Sequence, residues 1–588
     1  MAQSLEQMSK DDRLYRMRHS AAHIMAEAVL ELFPGTKFAI GPPIEHGFYY
    51  DFDLPRPLTN DDLETIEKRM RRTIDANHEF ARSEIDKDAA RNVFGDQPYK
   101  LELIDGIEGE RVSLYKHGGF TDLCEGPHVD RTGQVGAFKL TSIAGAYWRG
   151  DEHRPMLQRI YGALFETPDE LQDYLGRVEE MARRDHRRLG RELELFATHE
   201  LIGAGLPLWL PKGAVVRREL EQFILQLERE AGYQHVYSPH LAKRELYEIS
   251  GHWDHFKDDM FPPMATETEE FVLRPMNCPH HILIYAQTKH SYRELPVRIA
   301  ELGTMYRYER SGVVGGLSRV RAMTLNDAHI FCTVDQVKHE FSNVMRLVEK
   351  AYANLGITEY SYQLSLRDPG DKEKYAPNDE MWLMAERVLR EAMDDLDLPY
   401  KEAPGEAAFY GPKLDIQLRD LLGREETIST VQIDFHLPNQ FELIYIGEDG
   451  AEHRPVIIHR GVISTMERMV AYLIELYAGA FPLWLAPVQA VVIPIADRHI
   501  EYAEQVADDL RAEGLRIEVD ARGERMQAKI RDAQLQKVPY MLIVGDREKE
   551  AGGAAVRHRD GSDLGSLPLF QLIDRLKDEI ATKGLPEN

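Results

Sequence analysis

Residues 299–332 have the sequence IAELGTMYRYERSGVVGGLSRVRAMTLNDAHIFC, which predicts two strands on either side of a glycine-rich loop. Three glycines give the loop flexibility or let a ligand approach closely: Gly312, Gly315 and Gly316. Three arginines lie near the strand ends: Arg307, Arg319 and Arg321. Arginine makes bidentate contacts with phosphates and carboxylates, so the segment is either an anion-binding hairpin or a hairpin with exposed arginines.

A second segment, RPMNCPHH at residues 274–281, places Cys278 beside His280 and His281. The thiol can bind a metal, attack a substrate or fill space, and the local sequence leaves these alternatives open. Further along the chain, His459 precedes a helix in which Arg468 lies among apolar residues. If that arginine is buried, a ligand or an ion pair must satisfy its charge.

The N-terminal part of the chain contains a comparable set of histidines and a cysteine. His19 and His23 are four residues apart, so on a helix their imidazoles share one face. Cys124 and His128 lie in the turn-rich sequence LCEGPHVD, which predicts a loop. The four residues are compatible with a metal site or a hydrolytic site, and ordinary core or surface histidines are the alternative.

The composition indicates a globular protein of several domains: 588 residues, of which 43% are hydrophobic and 29% charged. A net charge of −27 argues against a protein that coats nucleic acid, although it leaves room for local basic surfaces. One candidate surface is RRDHRRLGR at residues 183–191, for which a solvated helix face or an interdomain linker is the favoured interpretation.

The cysteine count bears on the compartment. Cys124, Cys278 and Cys332 cannot form a disulfide framework, so we expect a reducing, cytoplasmic location. No apolar run approaches the ~20 residues that span a bilayer. The N-terminal residues also lack the apolar core of a signal peptide.

The order of helical and strand patterns divides the chain into segments. We expect a polar tail at 1–12, a mixed α+β domain at 13–166, a linker helix region at 167–195 and a large domain at 196–483. Residues 484–588 alternate strands with amphipathic helices. This alternation predicts a small α/β domain with a mostly parallel sheet covered on both faces.

Many segments together resemble one family, the threonyl-tRNA synthetases among the class II aminoacyl-tRNA synthetases. They occur in family order from about residue 13 onward: HSAAH, GFYYDFD, TDLCEGPHVD, AGAYWRGD, LQRIYG, RRDHRRLG, RPMNCPHH, YRYERSG, NDAHIFC, AFYGPKLD, STVQIDF, HRGVISTMERM and VPYMLIVGD. The resemblance implies an α+β multidomain fold with an α+β editing domain, a class II catalytic domain on an antiparallel sheet and a C-terminal α/β anticodon-binding domain. We expect the family's usual N-terminal ubiquitin-like domain to be missing, because the similarity begins almost at the editing domain.

The resemblance also implies an activity, the ATP-dependent ligation of L-threonine to tRNA(Thr). Members of the family bind one zinc ion through residues that match Cys278, His329 and His459. This zinc ion contacts the amino and hydroxyl groups of threonine. The expected threonine contacts are Asp327, Tyr410, Arg307, Gln432 and Lys413. The expected contacts to ATP, whose phosphates also bind Mg²⁺, are Arg307, Glu309, Arg319 and Arg468, with Arg307 and Arg468 as the catalytic arginines.

One amino acid pocket cannot separate threonine from all of its analogues. A zinc ion that needs a hydroxyl ligand rejects valine, but serine differs from threonine only by a methyl group worth ~1–3 kcal/mol. The resemblance therefore implies a second, hydrolytic site for mischarged seryl-tRNA(Thr). Its residues match a cluster that is thought to work in the family without a metal: His19, His23, Tyr50, Lys100, Asp122, Cys124 and His128.

Further implications concern the partners of the chain. The C-terminal domain is expected to read the tRNA anticodon with Arg531, Glu548 and Arg557, since side chains on a sheet suit unstacked bases. The segment GYQHVYSPHL resembles the family's dimer-interface motif, which implies a homodimer. No membrane partner is expected.

Three positions depart from the family pattern. Leu325 replaces a glutamine at the threonine carboxylate, Thr427 a glutamine near ATP, and Gly523 an asparagine at the anticodon. They leave two alternatives: a paralogue that binds RNA without charging it, or an enzyme for another amino acid such as serine or proline. The zinc ligands and the arginines that are present argue against both.

Overall fold

The structure is a computed structural model, and it describes residues 5–310 and 312–585. The chain divides into two units, Met1–Glu179 and Glu180–Asn588. This division lies inside the segment 167–195 that the sequence predicts as a linker, within a helix at Pro168–Arg184. Among the described residues, no helix has both the length and the apolarity that a membrane span requires.

The predicted N-terminal tail, 1–12, lies only partly in the described region. Residues 1–4 are outside it, and a helix already begins at Lys10. Ser9 starts this helix because its hydroxyl oxygen accepts the backbone N–H of Asp12 at 3.1 Å, which is an N-cap contact. The other predicted domain limits remain predictions.

The first unit contains two antiparallel sheets. Its strands are β1 (Lys37–Phe38), β2 (Pro43–Ile44), β3 (Gly47–Asp53), β4 (Ala81–Asp86), β5 (Arg111–His117), β6 (Phe120–Leu123), β7 (Ala137–Tyr147) and β8 (Met156–Phe165). Its helices are α1 (Lys10–Leu32), α2 (Asn60–Ala76), α3 (Lys87–Val93), α4 (Pro98–Gly106) and α5 (Pro168–Arg184), the last of which crosses the division. One sheet has the order β1-β3-β8-β7 with β2 on β3, and the other has the order β4-β5-β6.

The second unit contains a large domain built around an eight-stranded sheet. Its strands are β9 (Phe196–Ala197), β10 (Leu208–Trp209), β11 (Gln234–His235), β12 (Leu241–Lys243), β13 (Met264–Ala265), β14 (Glu270–Leu273), β15 (His290–Ser291), β16 (Val297–Tyr306), β17 (Ala322–Cys332), β18 (Tyr360–Leu366), β19 (Tyr400–Pro404), β20 (Lys413–Arg419), β21 (Glu425–Asp434), β22 (Tyr445–Ile446), β23 (Glu452–His453) and β24 (Val456–Thr465). Its helices are α6 (His186–Glu192), α7 (Pro211–Glu230), α8 (Arg244–Ile249), α9 (His252–Phe256), α10 (Cys278–Tyr285), α11 (Val337–Asn354), α12 (Asp379–Asp395), α13 (Leu437–Gln440) and α14 (Met466–Leu476).

The eight strands have the order β11-β16-β17-β24-β21-β20-β18-β19. The pairs from β16 to β18 are antiparallel, and only the outer pairs with β11 and β19 are parallel. This confirms the antiparallel sheet and the two strands predicted for residues 299–332. Apolar side chains of α7, α11 and α14 share one core with the central strands, which holds the middle of the sheet rigid.

The C-terminal part of the second unit carries a five-stranded sheet of order β26-β25-β27-β28-β29. Its strands are β25 (Ala490–Pro494), β26 (Ile517–Val519), β27 (Tyr540–Val544), β28 (Gly553–His558) and β29 (Asp563–Pro568). Its helices are α15 (Ile500–Ala512), α16 (Met526–Leu535), α17 (Asp546–Ala551) and α18 (Leu569–Thr582). The helices α15 and α18 pack on one face and α16 on the other, so the prediction of two covered faces is confirmed.

The prediction of a mostly parallel sheet is only half right. The pairs of β25 with β26 and β27 are parallel, whereas β27, β28 and β29 pair antiparallel. The tight turn between β28 and β29 has Gly561 at φ 97°, and a connection this short permits only an antiparallel pair. The strands β28 and β29 were not predicted, because GAAVRH has only a short apolar run and the half-exposed β29 has none.

Arg516 joins the C-terminal sheet to the large domain. Its guanidinium donates to the backbone carbonyls of Trp484 at 2.7 Å and Ala486 at 2.9 Å. It also forms an ion pair of 3.1 Å with Glu219 on α7. One side chain therefore ties together the connecting segment, α7 and the start of β26.

We expect Arg516→Ala to lower the opening free energy of the C-terminal sheet by about 2–3 kcal/mol, because partly buried carbonyls lose a charged donor. Hydrogen exchange of the β25 and β27 amides measures this quantity. Arg522→Ala is the matched control, since Arg522 is exposed and, among the described residues, its ion pairs are with Asp520 and Asp532. Equal protection in both variants would contradict the assigned role of Arg516.

Candidate active site and editing site

The side chains of Cys278, His329 and His459 meet although they are distant in sequence. His329 on β17 is the register partner of His459 on β24, and their ring centroids are 4.5 Å apart. Cys278 is the first residue of α10. One ligand atom from each residue lies within 4.8 Å of the other two, and all three residues are buried. One thiol and two imidazoles fit a catalytic zinc site with an open coordination position.

Hydrogen bonds determine which nitrogen of His329 faces this cluster. The Glu301 carboxylate lies 3.1 Å from His281 Nε2, so that nitrogen donates its proton to the carboxylate. His281 Nδ1 is then an acceptor, and it receives the Nδ1–H of His329 at 2.8 Å. The lone pair of His329 Nε2 stays free, and this buried atom has no hydrogen-bond partner among the described residues. A metal cation is a suitable partner for such an atom.

Glu301 is itself held in place. Arg274 Nη2 lies 3.1 Å from its carboxylate, and the Ser238 hydroxyl donates to it at 2.6 Å. Burial acts to raise the pKa of Glu301, but the hydrogen bonds from His281 and Ser238 and the charge of Arg274 lower it to about 2. The carboxylate is therefore ionised, as an acceptor for His281 must be.

A second buried carboxylate orients His459. Asp434 Oδ2 accepts the Nε2–H of His459 at 2.8 Å, while Asp434 Oδ1 accepts the backbone N–H groups of His436 and Leu437. His459 Nδ1 is left with a free lone pair, and within residues 5–310 and 312–585 it has no hydrogen-bond partner. Both imidazoles therefore offer a bare nitrogen to the same point.

The Cys278 thiol completes the donor set. Burial, with the charges of Asp327 and Asp434, raises the pKa of Cys278 well above its usual range. A bound divalent cation has the opposite effect, because it stabilises the thiolate as a ligand. The residues therefore fit a zinc ion, both in donor type and in the two orphaned nitrogens.

Most of the predicted active-site residues line one cavity of about 460 Å³. They are Cys278, Arg307, Glu309, Arg319, Asp327, Tyr410, Gln432, His459 and Arg468. His329 lies behind this surface and is fully buried. Lys413 does not line the cavity, and its ammonium donates to Asp415 at 2.7 Å. The structure thus brings together the predicted residues except Lys413.

The end of the cavity next to Cys278 is polar. The Tyr410 hydroxyl donates to Gln432 Oε1 at 2.5 Å, and Asn277 Nδ2 donates to Asp327 at 3.2 Å. Burial raises the pKa of Asp327. Gly303 on β16 leaves room for this arrangement, because a Cβ there would lie 2.2 Å from Asn277 Nδ2.

The other end of the cavity carries three arginines. Among the residues that the structure describes, no carboxylate forms an ion pair with Arg307, and burial followed by the nearby Arg468 lowers its pKa. Arg319 donates to Glu309 at 2.9 Å. Arg468 reaches the backbone carbonyls of Ser318 at 3.3 Å and Thr427 at 3.4 Å. This concentration of positive charge suits a polyanion.

Two of the positions that depart from the family pattern also line the cavity, Leu325 and Thr427. Leu325 presents an apolar side chain where an amide was expected. Thr427 donates its hydroxyl to Gln417 at 3.0 Å, while its backbone carbonyl accepts from Arg468 at 3.4 Å. Arg468 therefore keeps a contact at this position that does not depend on the side chain.

The predicted editing residues form a second cluster, in the first unit. One ligand atom each of His19, His23, Cys124 and His128 lies within 4.8 Å of the others. The Cys124 sulfur is 3.3 Å from both His19 Nε2 and His128 Nε2, and it accepts the Gly126 N–H at 3.2 Å. Burial raises the pKa of Cys124 to about 12 and lowers the pKa of His128 to about 2. The thiol and that imidazole are therefore neutral at physiological pH.

The other three predicted editing residues form a buried chain beside this cluster. The Tyr50 hydroxyl donates to Asp122 at 2.6 Å, and the Lys100 ammonium contacts Asp122 at 2.5 Å and Tyr50 at 3.0 Å. Asp122 also lies 3.5 Å from His23 Nε2. All seven predicted residues thus belong to one connected site.

The predicted anticodon residues lie on three different elements: Arg531 on α16, Glu548 on α17 and Arg557 on β28. Arg531 is exposed and 3.8 Å from Asp532, and Arg557 is 3.6 Å from Asp563. The Glu548 carboxylate accepts the Gly545 N–H at 3.1 Å. The structure gives each a separate contact and shows no shared contact among these three described residues.

The sequence interpretation missed the groups that support the zinc-like cluster. They are Arg274, Asn277, Glu301 and Asp434. A usable signal was present, because Glu301 and Asp434 are carboxylates inside the apolar strand sequences IAELG and VQIDF. A buried carboxylate in a strand needs a partner. His281, which the sequence shows only as a neighbour of Cys278, is a further supporting group through its contacts with His329 and Glu301.

Family models match three parts of the chain. Residues 112–161 match the threonyl and alanyl tRNA synthetase second additional domain, residues 261–477 the class II tRNA synthetase core domain (G, H, P, S and T), and residues 489–579 an anticodon binding domain. The first match contains Asp122, Cys124 and His128 of the first unit's cluster, the second contains the residues that line the cavity, and the third contains the C-terminal sheet.

Whole-chain comparisons point to one activity. The chain is 54% identical to the threonine–tRNA ligase of Staphylococcus carnosus over 98% of this chain and 90% of that protein. It is 56% identical to the threonine–tRNA ligase of a Geobacillus species over 96% of this chain and 88% of that protein.

Among solved structures, the RNA binding domain of a threonyl-tRNA synthetase from Cryptosporidium parvum has a TM-score of 0.65 at 36% identity, covering 69% of this chain and 99% of that chain. A putative threonyl-tRNA synthetase from Aeropyrum pernix has a TM-score of 0.60 at 27% identity, covering 68% of this chain and 96% of that chain. The chain therefore belongs to the threonyl-tRNA synthetases, the ATP-dependent class II threonine–tRNA ligases, and carries their catalytic, editing and anticodon-binding domains.

Proposed function

We propose that the cavity of about 460 Å³ activates L-threonine with a zinc ion held by Cys278, His329 and His459. The observation that carries this assignment is the pair of orphaned nitrogens, His329 Nε2 and His459 Nδ1, beside a buried thiol. In each imidazole the other nitrogen is occupied by a hydrogen bond, so the free lone pairs face one another and the sulfur.

Zinc would supply a Lewis acid with open positions for the amino and hydroxyl groups of threonine. The chain supplies the remaining contacts. Asp327 accepts a hydrogen bond from the threonine hydroxyl. Tyr410 and Gln432 lie beside the amino group. A valine side chain brings no hydroxyl to Asp327, so this buried carboxylate keeps its contact with Asn277 but loses the second hydrogen bond, and such a loss discriminates strongly.

We assign the arginine end of the cavity to ATP. Arg307 contacts the threonine carboxylate and the α-phosphate, since its guanidinium is free of carboxylates among the described residues. Glu309, Arg319 and Arg468 contact the nucleotide, whose phosphates also bind Mg²⁺. Positioning and charge neutralisation carry most of the rate enhancement in this chemistry. Lys413, which was predicted as a threonine contact, can contribute to the threonine end only if its ammonium leaves Asp415.

We assign the cluster in the first unit to the hydrolysis of seryl-tRNA(Thr), without a metal. Here the sulfur already faces two imidazole nitrogens and a backbone N–H, although His23 Nδ1 has no hydrogen-bond partner among the described residues. This differs from the bare nitrogens around Cys278. A neutral histidine can accept a proton from water, and the Tyr50–Lys100–Asp122 chain supplies a fixed charge pattern for the substrate.

The remaining predicted partners are tRNA(Thr) and a second copy of the chain. We propose that Arg531, Glu548 and Arg557 contact the anticodon loop of tRNA(Thr) and that the protein works as a homodimer in the cytoplasm. Tyr237, in the segment that resembles the dimer motif, is 94% exposed in the single chain. A large exposed aromatic side chain is typical of an interface.

We expect Cys278→Ala to lose bound zinc together with threonine-dependent ATP–pyrophosphate exchange. His281→Ala should retain the ligands but bind zinc 10–100-fold more weakly, because the proton on His329 is no longer directed. Metal analysis with chelator competition measures affinity, and exchange is run with threonine, serine and valine. Cys332→Ala, which removes another buried thiol, is the matched control.

Either of two outcomes would contradict this assignment: zinc and exchange both retained in Cys278→Ala, or no threonine-dependent exchange in the unaltered protein. The second outcome would favour a paralogue that binds RNA without charging it.

The editing assignment predicts that His19→Ala combined with Cys124→Ala lets seryl-tRNA(Thr) accumulate while threonine activation is unchanged. Deacylation of preformed seryl-tRNA(Thr) measures the effect. His153→Ala, an exposed histidine of the same unit, is the control. Hydrolysis at the unaltered rate in the double variant would remove these residues from the role.

The pKa of His128 also predicts how the first unit responds to acid. Burial lowers this pKa to about 2, whereas a histidine in the unfolded chain titrates near ~6.5. The unfolded chain therefore binds the extra proton below pH ~6.5, and stability falls by about 1.4 kcal/mol per pH unit from this residue. Above pH ~6.5 the residue has no such effect.

Limited proteolysis of the whole chain between pH 7.5 and 5 measures this loss of stability. The readout is the rate of cleavage within Met1–Glu179. We expect His128→Asn to show a shallower dependence on pH, and His153→Asn to match the unaltered protein. An identical slope for His128→Asn would show that His128 is not buried in its neutral form.

A further inference from the structure

The basic segment RRDHRRLGR has no role in the sites described above. Its arginines are largely neutralised by neighbours: Arg183 and Arg184 pair with Glu180, Arg187 with Asp185, and Arg188 with Glu192. The segment is therefore not a free cationic surface for RNA. Its buried polar side chain is that of His186, the first residue of α6.

The His186 imidazole contacts the glycine-rich loop between β16 and β17. The backbone N–H of Leu317 donates to His186 Nε2 at 3.1 Å, and Leu317 is fully buried. The contact requires a glycine next to it. A Cβ on Gly316, whose φ is +53°, would lie 2.1 Å from His186 Nε2.

The opposite side of the imidazole contacts α14. His186 Nδ1 lies 2.7 Å from the Glu475 carboxylate, which also accepts the His186 backbone N–H at 3.2 Å. The carboxylate accepts a hydrogen bond from Nδ1–H, so Nε2 carries no proton and can accept from the N–H of Leu317. One neutral tautomer thus serves both contacts.

The loop residues that follow Leu317 are those that reach the cavity. Ser318 and Arg319 line it, and the Ser318 carbonyl accepts from Arg468 at 3.3 Å. Arg319 closes the hairpin through its backbone, since its N–H donates to the Gly315 carbonyl at 3.3 Å. The loop is therefore fastened at two consecutive residues, by α6 through His186 and by α14 through Arg468.

We propose that His186 is a positioning residue for ATP binding. By accepting the hydrogen bond of the Leu317 N–H, it fixes the position of the loop so that Arg319 faces the nucleotide end of the cavity. The inference rests on the proposed contact of Arg319 with ATP. It assigns the RRDHRRLGR segment a structural task in activation, in place of a surface role.

Two conservative variants separate the two contacts of His186. In His186→Asn, the amide nitrogen occupies the place of Nδ1 and keeps the bond to Glu475, but Leu317 loses its acceptor. In His186→Gln, the amide oxygen reaches the place of Nε2 and can accept from Leu317, but the bond to Glu475 is lost. A structural role of the imidazole as a whole would make both variants alike.

The test is ATP–pyrophosphate exchange with ATP and threonine varied separately. We expect His186→Asn to raise KM for ATP about tenfold, the effect of one unsatisfied buried N–H, with KM for threonine changed less than twofold. His186→Gln should recover most of the ATP effect. Arg188→Ala, which alters an exposed arginine of the same helix, should behave as the unaltered protein.

Gly316→Ala is a second probe of the same contact, and it carries the test if His186→Asn does not fold. It should raise KM for ATP in the same way, and the double variant should be little worse than either single one, because both lose one contact. Arg319→Ala is run beside them. If it leaves KM for ATP unchanged, the proposed role of Arg319 fails; if it raises KM and His186→Asn does not, only the positioning role fails. An equal rise of KM for both substrates in His186→Asn would also overturn the proposal.

Discussion

The pairing of β17 with β24 fixes the position of His329 opposite His459, and the chemistry of the large cavity depends on this register. Side chains alternate between the two faces of a strand, so a slip of one residue would turn one imidazole to the opposite face of the sheet. The same strand β24 pairs with β21, which brings Gln432 beside His459. The apolar core against α7, α11 and α14 holds this register, and the cavity is formed on the rigid middle of the sheet.

The register alone does not give two metal ligands, because each imidazole has two nitrogens. Two buried carboxylates determine which nitrogen of each imidazole is left without a proton. Glu301 acts on His329 through His281, and Asp434 acts on His459 directly. Each of these carboxylates is satisfied by further donors, as buried charges must be. The first unit differs in part, since there His19 Nε2 and His128 Nε2 both face the Cys124 sulfur and only His23 Nδ1 lacks a partner among the cluster's described imidazole nitrogens.

Much of the architecture could be predicted from residue patterns. The i, i+4 spacing of His19 and His23 on a helix, the loop around Cys124 and the strands on either side of the glycine loop are local features. The zinc-like set could not be derived locally, because His329 and His459 become neighbours of Cys278 only through strand pairing. The family resemblance supplied it, but not the supporting groups Glu301 and Asp434, whose effect appears only in hydrogen-bond geometry.

The errors of the sequence interpretation have physical causes as well. The strands β28 and β29 were missed because GAAVRH has only a short apolar run and the half-exposed DLGSLP has none, and the sheet was therefore predicted as mostly parallel. The threonine contact of Lys413 stays a prediction, because in the structure its ammonium donates to Asp415. His186 lies in a segment whose charge suggested a solvated face, whereas the histidine between the arginines is buried.

X-ray absorption at the zinc edge tests the central claim most directly, because it reports the atoms bound to the metal. The hydrogen-bond pattern predicts one sulfur at ~2.3 Å and two imidazole nitrogens at ~2.0–2.1 Å, with further light ligands that change when threonine is added but not when valine is added. A spectrum without sulfur, or one that Cys278→Ala leaves unchanged, would contradict the account.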